Sequence, residues 1–535
     1  MTAPARGGST PEPAAVETDY AIPERSGETL IVPPPERLPA LLTVFDPGAG
    51  RAVLGVPLRD FRRRTRERVA GLVGAPGADR PIVLMGHQPV FFHPGVWVKY
   101  FLLSKLCGIN GAAGIHCIVD SDATGAISAA IPTGRDGVGR ATRTLVPLAD
   151  DVPLEAAAVP PPDAWAAFAA AVRGDLEVLG MPALLDRFGA FAAAEPAVRR
   201  EAATLAAYLD GLRRAYEAHA GRPAAGNHEI AAGAPRYLDV SVSALASTPE
   251  FQAFALHLMQ DPRGLRDAYN GCLDDYRRAH RVRSAANPFP NLAEAGGRTE
   301  MPFWILHGGR RTDLYASREG NRLVLGSAER SLATIPAGPG GVETLAGAGV
   351  ALRPKALTLT LFARLCLGDL FIHGVGGGRY DRVTEPLAQR LFDARPAPYA
   401  VATATLHLPL AGDRDPARER HTLERRLMDL QHNPDRHLDA AGEAERRLVD
   451  EKWRLIREVE TMRPGRERRA ATQRIREVNT LLAKTLAPEI ARVEAQLAAL
   501  NAQPPAEDVI EFRGYPFFLF DPNEVAALVP DLGRS

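Results

Sequence analysis

The chain has 535 residues, of which 46% are hydrophobic and 24% charged, enough apolar material for a large core and for more than one domain at roughly 150 residues each. Lys plus Arg and Asp plus Glu both number 64, so no overall basic field asks for nucleic acid, and no apolar run approaches the roughly 20 residues of a membrane span. The cysteines Cys107, Cys117, Cys272 and Cys366 stand singly without C-x-x-C spacing, and the N-terminus lacks a signal-peptide core, which together predict reduced thiols in a soluble, cytoplasmic protein.

Residues 1–35, rich in Pro, Gly, Ser and Glu, predict a flexible leader. From 36 to 150 the pattern is α/β. A basic helix over 58–73 precedes an apolar strand at 81–85, which breaks at Gly86 into His87-Gln88-Pro89 and then His93-Pro94-Gly95. Val96, Trp97, Tyr100, Phe101, Leu103 and Leu106 then recur at helical spacing. A second strand at 114–119 ends in Asp120-Ser121-Asp122, and two strands joined by a helix predict a parallel crossover unit. A β-rich stretch follows at 139–148. Residues 151–285 turn Ala-rich and predict a helical insertion. Strand-like segments at 301–306, 312–315 and 322–325, a helix at 358–366 and a strand at 369–373 predict the second half of the α/β core, over 286–414. From 415 to 502 the chain is charged and helical. Leu423, Leu427 and Leu430 open an apolar seam that runs, past the Pro464-Gly465 turn, to Leu497 and Leu500. Its spacing predicts a long antiparallel coiled-coil hairpin, and its narrowness predicts that the hairpin projects and joins two copies as a homodimer. An aromatic tail over 503–535, with Tyr515, Phe517, Phe518 and Phe520, is expected to pack back onto the core.

Three strand-to-loop turns carry the candidate chemistry. The first holds Gly86, His87, Gln88 and His93, with Lys99 one turn into the following helix. Free backbone N–H groups and the positive end of a helix dipole suit a phosphate or a developing oxyanion there, and Pro89 and Pro94 stiffen the cluster. The bland alternative is a surface loop with incidental histidines. The second turn carries Asp120 and Asp122. Neighbouring parallel strands share their C-terminal edge, so these carboxylates are expected beside His87, where they can bind a ribose hydroxyl, an ammonium group or Mg²⁺ with substrate phosphates. The alternative is an Asp that caps the next helix. The third turn is a strand followed by a glycine loop, with His373, Gly374, Gly376, Gly377, Gly378, Arg379, Tyr380 and Asp381. Its glycines permit close backbone approach to a ligand and Arg379 offers a bidentate fork, but the Lys-Ser/Thr ending of a Walker loop is absent. A plain tight turn is the alternative. Arg353 and Lys355 add positive charge or else begin a solvated helix, and His307 belongs either to the same crevice or to a loop. Should His87, His93, His116, Asp120, Asp122 and His373 converge, they could instead ligate a metal. His116 lies inside an apolar strand, where a satisfied core histidine is expected.

In order, these motifs are a strand, Gly86-His87-Gln88, a Pro-Gly element and a helix with Lys99; a strand ending in Asp120-Ser121-Asp122; Arg353-Pro354 before a helix; the glycine-rich 374–380 segment; and a long helical hairpin. The order resembles that of the cysteine-adding enzymes of bacillithiol biosynthesis (the BshC family), over most of residues 80–535. The resemblance implies a nucleotidyltransferase-like Rossmann core with helical insertions, a dimerising coiled coil, and a cleft for an adenine nucleotide. It also implies ATP-dependent ligation of cysteine to a malyl-glucosamine carboxylate. Gly86-His87-Gln88 stands where that family has Gly-Gln-Gln, and Asp120-Ser121-Asp122 where it has a Glu-Asp-His-Asp-like element, so the differences fall on the turns that would touch substrate.

The resulting expectation is an ATP-dependent ligase or nucleotidyl-transfer enzyme acting on small molecules. In it His87 and His93 stabilise phosphate charge, Gln88 and the 374–378 backbone position it, Lys99 and Arg379 neutralise it, and Asp120 and Asp122 bind the amine or Mg²⁺. Two readings stay open beside it: a metal-dependent hydrolase built on the His/Asp set, and a non-catalytic nucleotide-binding scaffold. The leading reading requires that segments near 87, 121 and 375 gather around one hollow.

Overall fold

The computed structural model describes residues 20–74, 79–134, 139–220, 237–284, 286–410, 416–438, 442–462, 465–501 and 507–532. They fall into two compact units, one built from the residues up to 131, from 141–406 and from 513 onward, the other from 132–140 and 407–512.

The first unit is centred on a six-stranded sheet. In space its strands run Thr29–Val32, Tyr399–Ala404, Leu370–His373, Ile82–His87, Ala113–Ile118 and Tyr237–Ser241. All neighbours are parallel except Thr29–Val32, which is antiparallel to Tyr399–Ala404. The apolar run Ile82–Met85 is buried throughout, as expected of a parallel strand covered on both faces. After laying down 82–87, the chain moves outward to 113–118 and 237–241. It then returns to the other side of 82–87 with 370–373 and 399–404. The order therefore reverses between 82–87 and 370–373, and His87 and His373 end those two strands.

Alternation along the strands assigns the covering helices. Ile82, Leu84, Ile115 and Cys117 share a core with Leu58, Phe61 and Val69, so helix Leu58–Val73 lies on that side. His116 faces the other way and meets Tyr100 of helix Pro94–Leu106. The basic character of helix Leu58–Val73 has a structural cause. Arg62 and Arg66 are buried and donate to Asp369 at 2.6 and 2.8 Å. The same carboxylate accepts from the Phe45 and Ile82 N–H groups at 2.7 and 2.6 Å, which ties the starts of two adjacent strands to this helix.

Three expectations change. Thr29–Val32 is a sheet edge in which Leu30 and Val32 pack against Val375 and Val401, so residues 20–35 are not a flexible leader; residues 1–19 lie outside the described ones. The helical stretch 151–285 also contributes strand Tyr237–Ser241, because its apolar residues find a place beside 113–118. Finally, Arg298–His307, Arg310–Glu319, Arg322–Gly326, Ser331–Pro336 and Ala351–Pro354 do not extend the parallel sheet. They form an antiparallel sheet of their own. Gly308 and Gly309, at φ +58° and +76°, make the two-residue turn that only antiparallel neighbours can use.

The segment 513–532 closes the unit. Phe518 stacks on Phe191 with ring centres 4.6 Å apart, the Tyr216 hydroxyl donates to the Phe520 carbonyl, and the Phe517 N–H donates to the Phe92 carbonyl at 2.7 Å. The last bond pins the turn that follows strand 82–87.

In the second unit, Pro416–His432 packs on Ala487–Asn501 and Glu443–Thr461 on Arg466–Thr485. Leu430, Leu486, Val493 and Leu497 form the apolar contact of the first pair. Each expected long helix is thus broken, the first around Pro434–His437 and the second at Leu486. Pro464 of the expected turn lies outside the described residues.

Candidate functional site

In an open parallel sheet the crevice outside the strand C-termini, where the order reverses, is the place a ligand can reach free backbone groups from both sides. Here the reversal is flanked by Gly86-His87-Gln88 and by His373-Gly374. His87 is half-buried, with its Nδ1–H donating to the Gln88 carbonyl at 2.8 Å and its ring edge-on to Phe92. That bond leaves Nε2 as a lone pair. Burial first, and then the charge of Lys99, hold His87 well below the ordinary imidazole range, so it is neutral at pH 7.

His93 has the opposite tautomer. It is the N-cap of helix Pro94–Leu106, and its Nδ1 accepts the Gly95 N–H at 3.1 Å, which puts the proton on Nε2. Burial, Arg513 and Lys99 push its pKa down to about 4. Neither histidine is therefore a cation at pH 7. One presents a base and the other a neutral donor.

Lys99 is the cation of the site. It is 3% exposed, and it has no hydrogen-bond or ion-pair partner among the described residues. Burial alone pulls its pKa down to about 8, with no carboxylate acting on it. Its charge is felt by His87, His93, His116 and His373. The structure thus keeps one buried ammonium, without a counter-charge, among imidazoles that all avoid protonation.

The second turn divides. Asp120 is buried and accepts from the Ser243 N–H at 2.9 Å and from the Ser243 hydroxyl. It bonds the first turn of the short helix Val242–Ala246, whose N-cap is Ser241, and burial raises its pKa. Both its oxygens are engaged, though not in capping the helix that follows it in sequence. Asp122 takes the Gln88 amide at 2.6 Å on Oδ2 and Arg311 at 3.1 Å on Oδ1. Arg311 also reaches the Ser121 carbonyl and lies over the Trp304 ring.

The third turn is not a glycine loop. Val375–Asp381 is a short helix with Gly374 as its N-cap. A Cβ on Gly377 would stand 2.6 Å from His373 Nδ1, and one on Gly378 would stand 2.3 Å from Val401. The glycines thus let this helix lie against strands Leu370–His373 and Tyr399–Ala404, and Gly376 is exposed with nothing near it. Arg379 is exposed and donates to the Tyr20 carbonyl at 3.0 Å, away from the phosphate role expected of it. His373 donates from Nε2 to Asp381 at 2.8 Å, and Arg364 pairs with the same oxygen at 2.8 Å. Burial lowers the His373 pKa against the pull of Asp381. Burial alone would raise the Asp381 carboxyl, but Arg364 and His373 outweigh it and keep it ionised. Tyr380 is pushed up to about 12 by burial, then by Asp381 and Asp122, which places the third turn within electrostatic reach of the second. Strands 370–373, 82–87 and 113–118 are parallel neighbours, so the 87, 121 and 375 segments all leave the same C-terminal edge of the sheet.

Other candidates are committed elsewhere. Arg353 forms a bidentate pair with Glu155, both contacts at 2.7 Å, and Lys355 lies between Glu300 and Asp313. His307 is exposed on its hairpin, 3.3 Å from the Gly349 carbonyl. His116 lies between Tyr100 and Asp239 at 3.1 and 3.0 Å, held down to about 3 mainly by burial, as a core histidine. Among the described residues no group of three His, Cys, Asp or Glu side chains is placed to hold a metal ion. Arg311 and Arg513 escape the sequence reading of the site. The first had a local signal in the Gly308-Gly309-Arg310-Arg311 hairpin, whereas the second has none, since it approaches from more than a hundred residues beyond strand 399–404. No protein-family model matches the chain, and no curated protein does.

Proposed function

We propose that the chain is an ATP-dependent ligase joining an amine to a carboxylate, with its phosphates at the sheet reversal of a Rossmann-type core and its helical unit serving as a dimerising coiled coil. The observation that carries the reading is Lys99, a buried cation with no anion of its own at the place where such sheets bind nucleotides. The strand order, outward from 82–87 to 237–241 and then across to 399–404, supports it, as does the resemblance in motif order. In the reaction the carboxylate loses an oxygen, which leaves on the cleaved phosphate, and the amine loses protons as the amide forms. Lys99 neutralises charge on the phosphate oxygens and the His93 Nε2–H donates to them. The free Nε2 of His87 accepts a proton from the amine. Gln88, Asp122 and Arg311 form one wall, each holding the next.

Asp120 and Asp122 do not fit the role of Mg²⁺ ligands, because Ser243, Gln88 and Arg311 already occupy their oxygens. No step is routed through the metal. Calorimetric titration of the full chain with ATP and ADP tests the reading. Wild type is expected to bind, Lys99→Met to weaken binding by about a hundredfold, and His87→Ala to retain binding while losing amide formation. ATP bound but never turned over with amine and acid present would leave the scaffold reading, and absence of ATP and ADP binding to wild type would end both.

A further inference from the structure

Arg513 is the first residue of the segment that returns to the sheet unit after 407–512, and it arrives at the start of helix Pro94–Leu106. Its Nη2 donates to the Ala404 carbonyl at 2.9 Å and to the Thr403 hydroxyl at 3.1 Å, both at the C-terminal end of strand Tyr399–Ala404. A Cβ on Gly95 would lie 2.4 Å from that nitrogen, so the guanidinium is pressed against the first helical turn, where only glycine leaves room. Gly95 and Lys99 are four residues apart and share one helix face. Two cations therefore stand along the same side of this helix, beside the positive end of its dipole. Both also act on His93.

Neither has an anion. Among the described residues Arg513 and Lys99 form no ion pair, and the Arg513 Nε–H is buried without an acceptor. Its Nη1 makes no hydrogen bond to a described residue. Cations drawn out of water with unmet donors are costly unless something outside the chain compensates them.

We propose that Lys99 and Arg513, beside the start of helix Pro94–Leu106, form one site for a doubly charged anion, with Arg513 as its second cationic arm. The inference rests on the phosphate reading above and adds two things. The bound group carries at least two charges, and one of its donors is delivered by the C-terminal segment, so the site is complete only when that segment is docked. A phosphoryl group and a dicarboxylate share this chemistry, and the test separates them.

The full chain is titrated with pyrophosphate, succinate and acetate. Pyrophosphate is expected to bind more tightly than succinate, and acetate least. Arg513→Gln should weaken pyrophosphate by about tenfold or more and reduce the salt dependence of binding, while Arg513→Lys restores most of the affinity. The salt slope and the rescue by lysine are readouts that a purely structural arginine would not move, whatever the variants do to melting. Wild type binding none of the three overturns both this site and the phosphate reading. Wild type binding with Arg513→Gln unchanged, or with Arg513→Lys no better than Arg513→Gln, overturns only the second arm. Succinate bound more tightly than pyrophosphate keeps the dianion site and overturns its assignment to phosphate.

Discussion

Two buried charges sit at opposite edges of the same parallel sheet, and the fold treats them in opposite ways. Asp369, just before strand Leu370–His373, receives two arginines and two backbone N–H groups. Lys99, toward the C-terminal edge, receives nothing. Both charges pay for leaving water, but only the first is compensated within the chain. A compensated charge holds elements together, whereas an uncompensated one is a net cost to the fold, and in the function proposed above it is a cost retained for a bound anion. On that proposal the N-terminal edge is the structural side of the sheet and the C-terminal edge the side that binds.

The sharpest way to break this contrast is to remove each charge in turn. Asp369→Asn leaves Arg62 and Arg66 buried without a counter-charge, and is expected to destabilise the protein by about 3–5 kcal/mol, seen as an earlier melt and a lower denaturant midpoint. Anion binding to the remaining folded protein should be unchanged. A variant as stable as wild type would remove the structural half of the comparison.

Lys99→Met should act with the opposite sign. The Lys99 pKa is held at about 8 in the folded chain, against about 10.4 for a free lysine. In the folded state the proton is thus bound less tightly, and between about pH 8 and 10.4 the unfolded chain carries more of it, so this group makes stability rise with pH in that window. Below pH 8 its cost is fully present, at about 3 kcal/mol. The methionine variant is therefore expected to melt later than wild type at pH 7, to lose most of that advantage by pH 10, and to bind anions far more weakly below about pH 8. Wild-type anion affinity should be level below about pH 8 and decline above it as the ammonium deprotonates. An earlier melt for Lys99→Met at pH 7 would mean that the ammonium has a partner after all.

How far the sequence shows this division depends on the range of each interaction. Strand 82–87, the helix after it and the basic helix 58–73 are legible because their periodicity is local. That Arg62 and Arg66 are buried is not, since their partner is about three hundred residues away and their spacing also suits a solvated face. The same holds for the 298–354 strands: alternation reveals strands, but their partners, and hence a separate antiparallel sheet, depend on turns such as Gly308-Gly309. At the site, the three turns and Lys99 are legible as polar interruptions after apolar runs. The tautomers of His87 and His93, the engagement of Asp120 by Ser243 and the approach of Arg513 are not, because each is set by a bond whose other end the local pattern does not contain. The 374–378 glycines mislead for a related reason. Glycine serves close packing as readily as ligand approach, and only the neighbouring His373 and Val401 tell which.

The smallest effect expected is at His93, which belongs to both halves of the comparison. As the N-cap of helix Pro94–Leu106 it satisfies the Gly95 N–H, and with its other nitrogen it can donate to an anion. His93→Ala should lower stability by about 1 kcal/mol and weaken pyrophosphate binding by less than Lys99→Met does. His93→Asn separates the two roles, because an asparagine oxygen caps a helix well while its amide cannot reach as far as the imidazole Nε2. The asparagine variant should melt with wild type and bind pyrophosphate as weakly as the alanine variant. If it recovers both, His93 belongs only to the structural side of the sheet, and the anion is left to the two cations and the helix end.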